Sequence, residues 1–347
     1  MQGMIVNPYA DDSIFGMIPL TQAMMLVPNT YGYLGPKNIF SFEGVPGDSV
    51  SVEMMNGIIQ ILESKPRGTS EPNQAKQEKR SGVILSIPHI PSEDQIRPKE
   101  IKNVRAFGST NQLEQASTVM NGKLIKNHRN YEITWEFLSW GALKGKIIDA
   151  DGVTELADFY KAFDVTKKRI NFELDNSDTD VVAKCKELTD HIEDNLLGDT
   201  MTGVRCPCSP EFFDSLVSHR NVEKFYLNHA AAVELGGPGS KDSFTFKGIT
   251  FERYRGRGPL PDGEIKRFID IGKGHAYPEG TFETFKGAWG SGEFMDTINS
   301  NGVPIYVLQE PLKFNKGIDL YFESNPLPYC SRPGVLVEVL RSEADSE

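Results

Sequence analysis

The chain has 347 residues, 39% of them hydrophobic and 24% charged, and no apolar run near the ~20 residues a bilayer helix needs. Its 37 Lys and Arg against 48 Asp and Glu leave a net charge of −11, which argues against a protein whose task is to grip nucleic-acid phosphates. At ~150 residues per domain this is roughly two domains or one elaborated one, with chain enough for a real core. No basic stretch followed by a long apolar one marks the start, so the protein is expected to work where it is made. Four cysteines (Cys185, Cys206, Cys208 and Cys330) are too few for a disulfide framework and are expected as free thiols.

The first ~48 residues alternate apolar pieces with Pro and Gly, so any helix there is short and the segment reads as an arm lying on something else. From Asp48 to Ile61 the pattern suits a strand broken by a turn at Asn56-Gly57. Apolar residues almost vanish from Glu63 to Arg80, a polar and slightly basic stretch, and return as a strand over Val83–Ile90. Two strands flanking a solvated tip make a long hairpin that cannot bury its own faces, so the expectation is either a mobile loop or one that a neighbouring molecule orders. Its basic residues Arg67, Lys79 and Arg80 are expected to meet acidic surface on that neighbour.

The longest helical pattern follows, from Ser109 to Gly141, with Leu113, Met120, Leu124, Tyr131, Trp135 and Leu138 on one face. Gln112, Glu114, Gln115, Lys123, Arg129 and Glu132 fall on the other. Leu143–Val153 reads as a strand entering a turn at Asp151-Gly152, with Glu155–Tyr160 returning, so a helix packed on a hairpin defines an α+β unit. Asp180–Leu197 is a second amphipathic helix, and Ser209-Pro210-Glu211 opens a third with Ser at the N-cap and Pro at the first position. After Gly236–Gly239 the chain turns strand-like (Phe244, Phe246, Ile249, Phe251, Tyr254). Ile318–Glu323 and Val335–Leu340 supply two more strands separated by a Pro-rich stretch.

Catalytic patterns are all incomplete. His191-Ile192-Glu193 followed by Cys206-Pro207-Cys208 has residue types of a zinc deaminase, but Cys-x-Cys around a proline is expected to point its thiols apart if extended, and a tetrahedral zinc wants Cys-x-x-Cys. The six histidines show no His-Glu-x-x-His spacing, Gly236–Lys241 enters a strand where a phosphate loop would enter a helix, and Asp175–Asp180 lacks the glycine and the distal Glu of a calcium loop. No metal and no cofactor is expected.

Ordered blocks carry a resemblance. They are Ile87-Pro88-His89-Ile90-Pro91, then Ile101–Ser109 with Arg105, Phe107 and Gly108, then Ala142–Gly145 with Asp149-Ala150-Asp151-Gly152 and Asp158-Phe159-Tyr160, then Cys208–Phe213, and Glu323–Pro328. Across about Phe40 to Leu340 the sequence resembles the lambda-type major capsid proteins of tailed bacteriophages, the capsid protein E family. The resemblance implies an α+β chain of the Hong Kong 97-type (HK97-like) fold: an arm (1–48), an extended loop (49–100), a peripheral domain with a spine helix (101–186), an axial domain (187–312), and C-terminal strands (313–347) returning to a peripheral sheet with Lys144–Tyr160. It implies self-assembly into hexamers and pentamers of a closed icosahedral shell around double-stranded DNA, held without sequence-specific binding. A separate scaffold protein, a portal and a decoration protein are the partners in view, with assembly in the host cytoplasm. Pro88, His89, Arg105, Phe107 and Gly108 are the interface candidates from the blocks. Another self-assembling virion protein, such as a tail tube subunit, and a zinc hydrolase are the rival readings.

Overall fold

The structure, a computed structural model, describes residues 15–26, 32–54, 81–102, 112–234 and 240–346. Its elements begin with α1 (Met17–Met25), β1 (Ser41–Gly44), β2 (Ser49–Met54), β3 (Ser81–Ser86), β4 (Ile90–Ile96), α2 (Pro98–Lys102), α3 (Gln112–Leu143), β5 (Lys146–Ile148), β6 (Glu155–Asp158), α4 (Phe159–Ala162), β7 (Lys168–Asn171) and α5 (Val181–Asn195). They continue with β8 (Gly203–Cys208), α6 (Pro210–Ser218), α7 (Glu223–Glu234), β9 (Ser243–Phe246), β10 (Ile249–Arg253), β11 (Arg257–Pro259), β12 (Ile265–Arg267), β13 (Lys273–Glu279), β14 (Phe285–Trp289), β15 (Tyr306–Pro311), β16 (Ile318–Ser324), β17 (Pro326–Cys330) and β18 (Val337–Leu340). The described residues group into two units. One holds those up to Val50, Ser86–Leu138 and Gly287–Pro328; the other holds Ser51–Leu85, Ser139–Lys286 and those from Tyr329 onward.

In the first unit β16 is the middle strand of an antiparallel sheet ordered β15-β16-β4, with Ile318 opposite Ile96 and Ser324 opposite Ile90. The spacing that predicts the long helix also says which face it buries: Met120, Leu124 and Tyr131 of α3 pack on Ile96, Val307, Leu320 and Phe322, with Leu20 and Met24 of α1 completing the core. Glu132, expected on the polar face, is buried 3.2 Å from His128 Nδ1. Glu136, one turn on, accepts hydrogen bonds from the backbone N–H of Tyr33 (2.9 Å) and Leu34 (3.2 Å). A segment from far along the chain therefore covers more of α3 than its apolar stripe, and the buried Glu136 carboxylate serves the backbone of that segment.

A second sheet is ordered β1-β14-β17. Phe42 stacks on Trp289 at 4.5 Å, and Trp135 meets Trp289 edge-on at 5.0 Å. Gly302 lies so close to this layer that an added Cβ would sit 2.1 Å from the Trp289 carbonyl oxygen, so no side chain fits there. The Pro-rich stretch expected to be a connection contains the strand β17. Pro326 and Pro328 are tolerated because β17 ends the sheet order, leaving one side without a ladder to supply.

The second unit is built on a six-stranded sheet ordered β7-β18-β13-β8-β10-β9, in which β7/β18 and β8/β10 are parallel pairs. One face carries Ile170, Val339, Ala276, Val204, Cys206, Ile249 and Phe251, all buried. Phe212 of α6 reaches it, 5.6 Å from Phe172 and 6.4 Å from Phe251 between ring centres. The caps are those the sequence predicts: Asp180 accepts from the N–H groups of Val182 and Ala183 at the start of α5, and Ser209 Oγ from Phe212 N at 3.2 Å at the start of α6.

Three further expectations change. Val337–Leu340, expected in one sheet with Lys144–Tyr160, instead pairs with β13 and β7 in the six-stranded sheet, while β5 and β6 form a two-stranded sheet of their own. The returning strand stops at Asp158, whose carboxylate caps α4 by accepting from Lys161 N, so Tyr160 is helical. The hairpin strand does not run on from Val83 to Ile90: β3 pairs with β2, and after Ile87–His89 the chain crosses to β16. Proline at 88 and 91 removes the ladder donors that continuous pairing would need. The Asn56-Gly57 turn and the basic tip lie outside the described residues, as does the start of the long helix before Gln112.

Candidate functional site

Of the interface residues predicted from sequence, Pro88 and His89 lie between β3 and β4. His89 Nδ1 stands 3.1 Å from Asn325 Oδ1 and 3.5 Å from Glu323 Oε1. Asn325 donates through Nδ2 to Glu323 Oε1 (2.7 Å) and to the Ser291 carbonyl (2.9 Å), and the fully buried Glu323 also accepts from Glu293 N at 3.0 Å. Beside them Trp135 Nε1 donates to Ser324 Oγ (3.0 Å), which donates to the Pro304 carbonyl (2.6 Å). The conspicuous block Glu323-Ser324-Asn325 is thus an internal polar clamp holding two backbone segments, at Ser291–Glu293 and at Pro304, and the His89 loop. Its signal in the sequence was three polar residues closing an apolar strand; its partners, from Pro304 at 20 residues to His89 at 236, had none. Arg67, Lys79, Arg80, Arg105, Phe107 and Gly108 lie outside the described residues.

Asp151 and Gly152 form the tip between β5 and β6. The Asp151 carboxylate accepts from Val153 N and Thr154 N, each at 2.8 Å, and from Thr154 Oγ1, while Gly152 takes φ +75°, the left-handed region glycine suits. The Thr154 hydroxyl and these two amides hold the Asp151 carboxyl below its ordinary range. Val153 beside it is 86% exposed, an apolar residue offered to solvent at the end of a rigid turn.

The residues with catalytic types do not converge. Cys206 and Cys208 are fully buried on β8, and both flank the position a Gly274 side chain would take, Cys208 Cβ at 2.9 Å and Cys206 Sγ at 3.3 Å. They share one face, against the expectation that they point apart, because residues two apart on a strand alternate back to the same side. Burial pushes the Cys185 and Cys330 thiols up to about 12 and raises those of Cys206 and Cys208 further, so all four stay protonated and behave as small apolar side chains. His191 Nε2 is held 3.0 Å from the Gly334 carbonyl oxygen. Among the described residues no group of three or more His, Cys, Asp or Glu could hold a metal ion.

The sheet face opposite Phe251 is charged. Arg205 of β8 bridges Glu252 of β10 and Glu279 of β13, with a 3.0 Å bond from Nη2 to Glu279 Oε2. One guanidinium shared by two carboxylates neutralises one, and burial together with the Glu279 charge pushes Glu252 up to about 7 from 4.5. Between those values the folded chain holds a proton that the unfolded chain has lost, so this group's contribution to stability falls as pH rises. Glu252→Gln is expected to remove that slope and to stabilise the protein by ~1–2 kcal/mol above pH 7, read from urea midpoints across the interval. A variant with an unchanged slope would assign the titration elsewhere.

Comparison with known proteins adds what side-chain chemistry does not. The family model described as phage major capsid protein E matches residues 17–340. A major capsid protein of Salmonella phage Felix O1 is 29% identical over 358 residues, covering 95% of this chain and 97% of the relative. A major capsid protein of Pseudomonas phage KPP10 is 26% identical over 340 residues, with 93% and 96% covered. Among solved structures, a protein described as a prophage capsid protein from E. coli CFT073 superposes with a TM-score of 0.57 at 15% identity, covering 93% of this chain and 97% of that one. The capsid of Ralstonia phage GP4 gives 0.51 at 11%, with 90% and 92% covered. At such identities the likeness is one of fold, the HK97-like capsid fold expected from the sequence blocks.

Proposed function

Since this chain belongs to the phage major capsid protein E family, it is a structural subunit of a phage capsid and not an enzyme, and we propose that copies of it close as hexamers and pentamers into an icosahedral shell around double-stranded DNA. The observation that carries the reading is the family match over residues 17–340, which takes in nearly the whole chain. In this reading residues 1–48 are the arm, 49–100 the extended loop, 101–186 the peripheral domain with α3 as its spine, and 187–312 the axial domain. β7, from the 101–186 segment, and β18, from the 313–347 segment, share one sheet with β8, β9, β10 and β13 of 187–312, so in this reading the boundaries mark regions of the shell and not separate sheets.

The net charge of −11 suits an inner wall past which DNA slides, because each phosphate neutralised by a cation would add a salt-dependent attachment. A separate scaffold protein would set the shell's curvature, a portal would occupy one vertex, and a decoration protein would bind the outside, all in the host cytoplasm before the virion is released. Purified protein expressed with its phage's scaffold is expected to form closed particles under the electron microscope. Tubes, or chains that stay monomeric under every condition, would overturn the reading.

The basic loop provides a sharper test. Exposed ion pairs are worth ~0–1 kcal/mol each, yet a shell repeats the contact in every subunit. Arg80→Glu is expected to lower particle yield several-fold at low salt while the circular dichroism of the unassembled chain stays unchanged. Full yield at low and moderate salt would assign Arg80 to solvation alone.

A further inference from the structure

The hairpin between β15 and β16 is closed by Leu312 N donating to the Gly317 carbonyl (2.9 Å) and Asn315 N to the Leu312 carbonyl (2.8 Å). At its tip Phe314 adopts φ +64°, ψ +23°, a left-handed conformation that a bulky residue rarely takes. It is 79% exposed, and the ammonium groups of Lys313 and Lys316 stand 5.5 and 5.7 Å from its ring centre. An aromatic ring held out to water in an unfavourable backbone conformation buries little of its surface in the isolated chain, and the two flanking cations touch it. Such outliers persist where function uses them.

On the outer face of the same β15-β16-β4 sheet is an open groove of about 380 Å³. Its apolar lining comes from Leu308, Tyr321 and Phe294, and its acidic rim from Glu93, Glu310 and Asp319. The register explains the arrangement: Leu308 stands opposite Tyr321, which stands opposite Glu93, and Glu310 stands opposite Asp319, all on the face turned away from the α3 core. The exposure of Phe314 shows that it does not fill the groove of its own chain.

We propose that the Lys313-Phe314-Lys316 tip of one copy docks into the Leu308–Tyr321 groove of a second copy, the ring entering between the apolar side chains and the two lysines meeting Glu93, Glu310 and Asp319. The inference rests on the shell reading above and names one contact within it. Knob and groove lie on one chain, so the contact is made either reciprocally between two copies or head-to-tail around an axis that closes a ring. Two cations against three carboxylates favour the encounter in a protein whose like charges otherwise repel, and the aromatic anchor supplies the desolvated centre.

The experiment uses singly substituted full-length chains, each diluted into wild-type subunits so that particles still form. Lys313→Cys chains are mixed with Glu310→Cys chains, assembled, and treated with a short bismaleimide; the four natural thiols are buried and give the wild-type background. The expected result is a heterodimer on a denaturing gel, cut at least tenfold when Phe314→Ala is added to the Lys313→Cys chain. Particles that form without the heterodimer, or a heterodimer that Phe314→Ala leaves intact, would overturn the contact while leaving the shell reading in place. Wild-type chains that form no particles at all would remove both.

Discussion

Glu338→Ala is expected to cost about 1–3 kcal/mol, because it removes a buried carboxylate that takes charge-assisted hydrogen bonds from two cations partly in water. Glu338, in the middle of β18, is 5% exposed; Lys167 Nζ lies 2.9 Å and Arg169 Nε 2.7 Å from its Oε2. Burial by itself would raise the Glu338 carboxyl, but Lys167, Arg169 and Lys273 together hold it below its ordinary range. A carboxyl depressed in the folded state contributes stability that is complete above the unfolded value and is lost as pH falls through the folded one. The wild-type chain therefore loses this contribution in acid below the usual carboxylate range, whereas Glu338→Gln starts lower at pH 7 and shows less acid dependence. Urea midpoints of the three proteins at several pH values decide it; equal midpoints at pH 7 would show that the cations reach water unaided.

Phe322→Ala is expected to cost more, about 3–5 kcal/mol, by a different route. Phe322 is fully buried on β16, beneath Met120, Leu124 and Tyr131 of α3 and beside Leu320 and Val307. Truncation leaves a cavity that a sheet hydrogen-bonded on both sides of β16 closes poorly. Amide exchange should accelerate across β4, β15 and β16 and stay as it was in β8 and β10, which belong to the other unit. Uniform acceleration throughout would mean that the two units open as one.

Much of the architecture was legible because it is local. The α3 face was written in the spacing of Met120, Leu124, Tyr131 and Leu138, and the starts of α5 and α6 in Asp180 and in Ser209-Pro210, since a cap and the donors it satisfies lie within three residues of each other. The Asp151-Gly152 tip was legible for the same reason. The block Glu323-Ser324-Asn325 was conspicuous, but nothing in its neighbourhood says that its partners are His89, Ser291 and Glu293.

The sequence by itself determined the periodicities, the caps, the acidic balance and the ordered blocks that mark the capsid family, because each depends on residues near in the chain or on composition. Tertiary structure alone decided which strands pair. It put Val337–Leu340 between β13 and β7, made Pro326–Cys330 an edge strand, turned Cys206 and Cys208 to one buried face, and buried Glu132 and Glu136. The physical reason is that a strand's side-chain pattern says only that one face is apolar, while its ladder partner is any other strand whose register buries that face. That choice belongs to the whole chain, and the same holds for a carboxylate such as Glu338, whose cost or benefit depends on cations that arrive from 65 to 171 residues away.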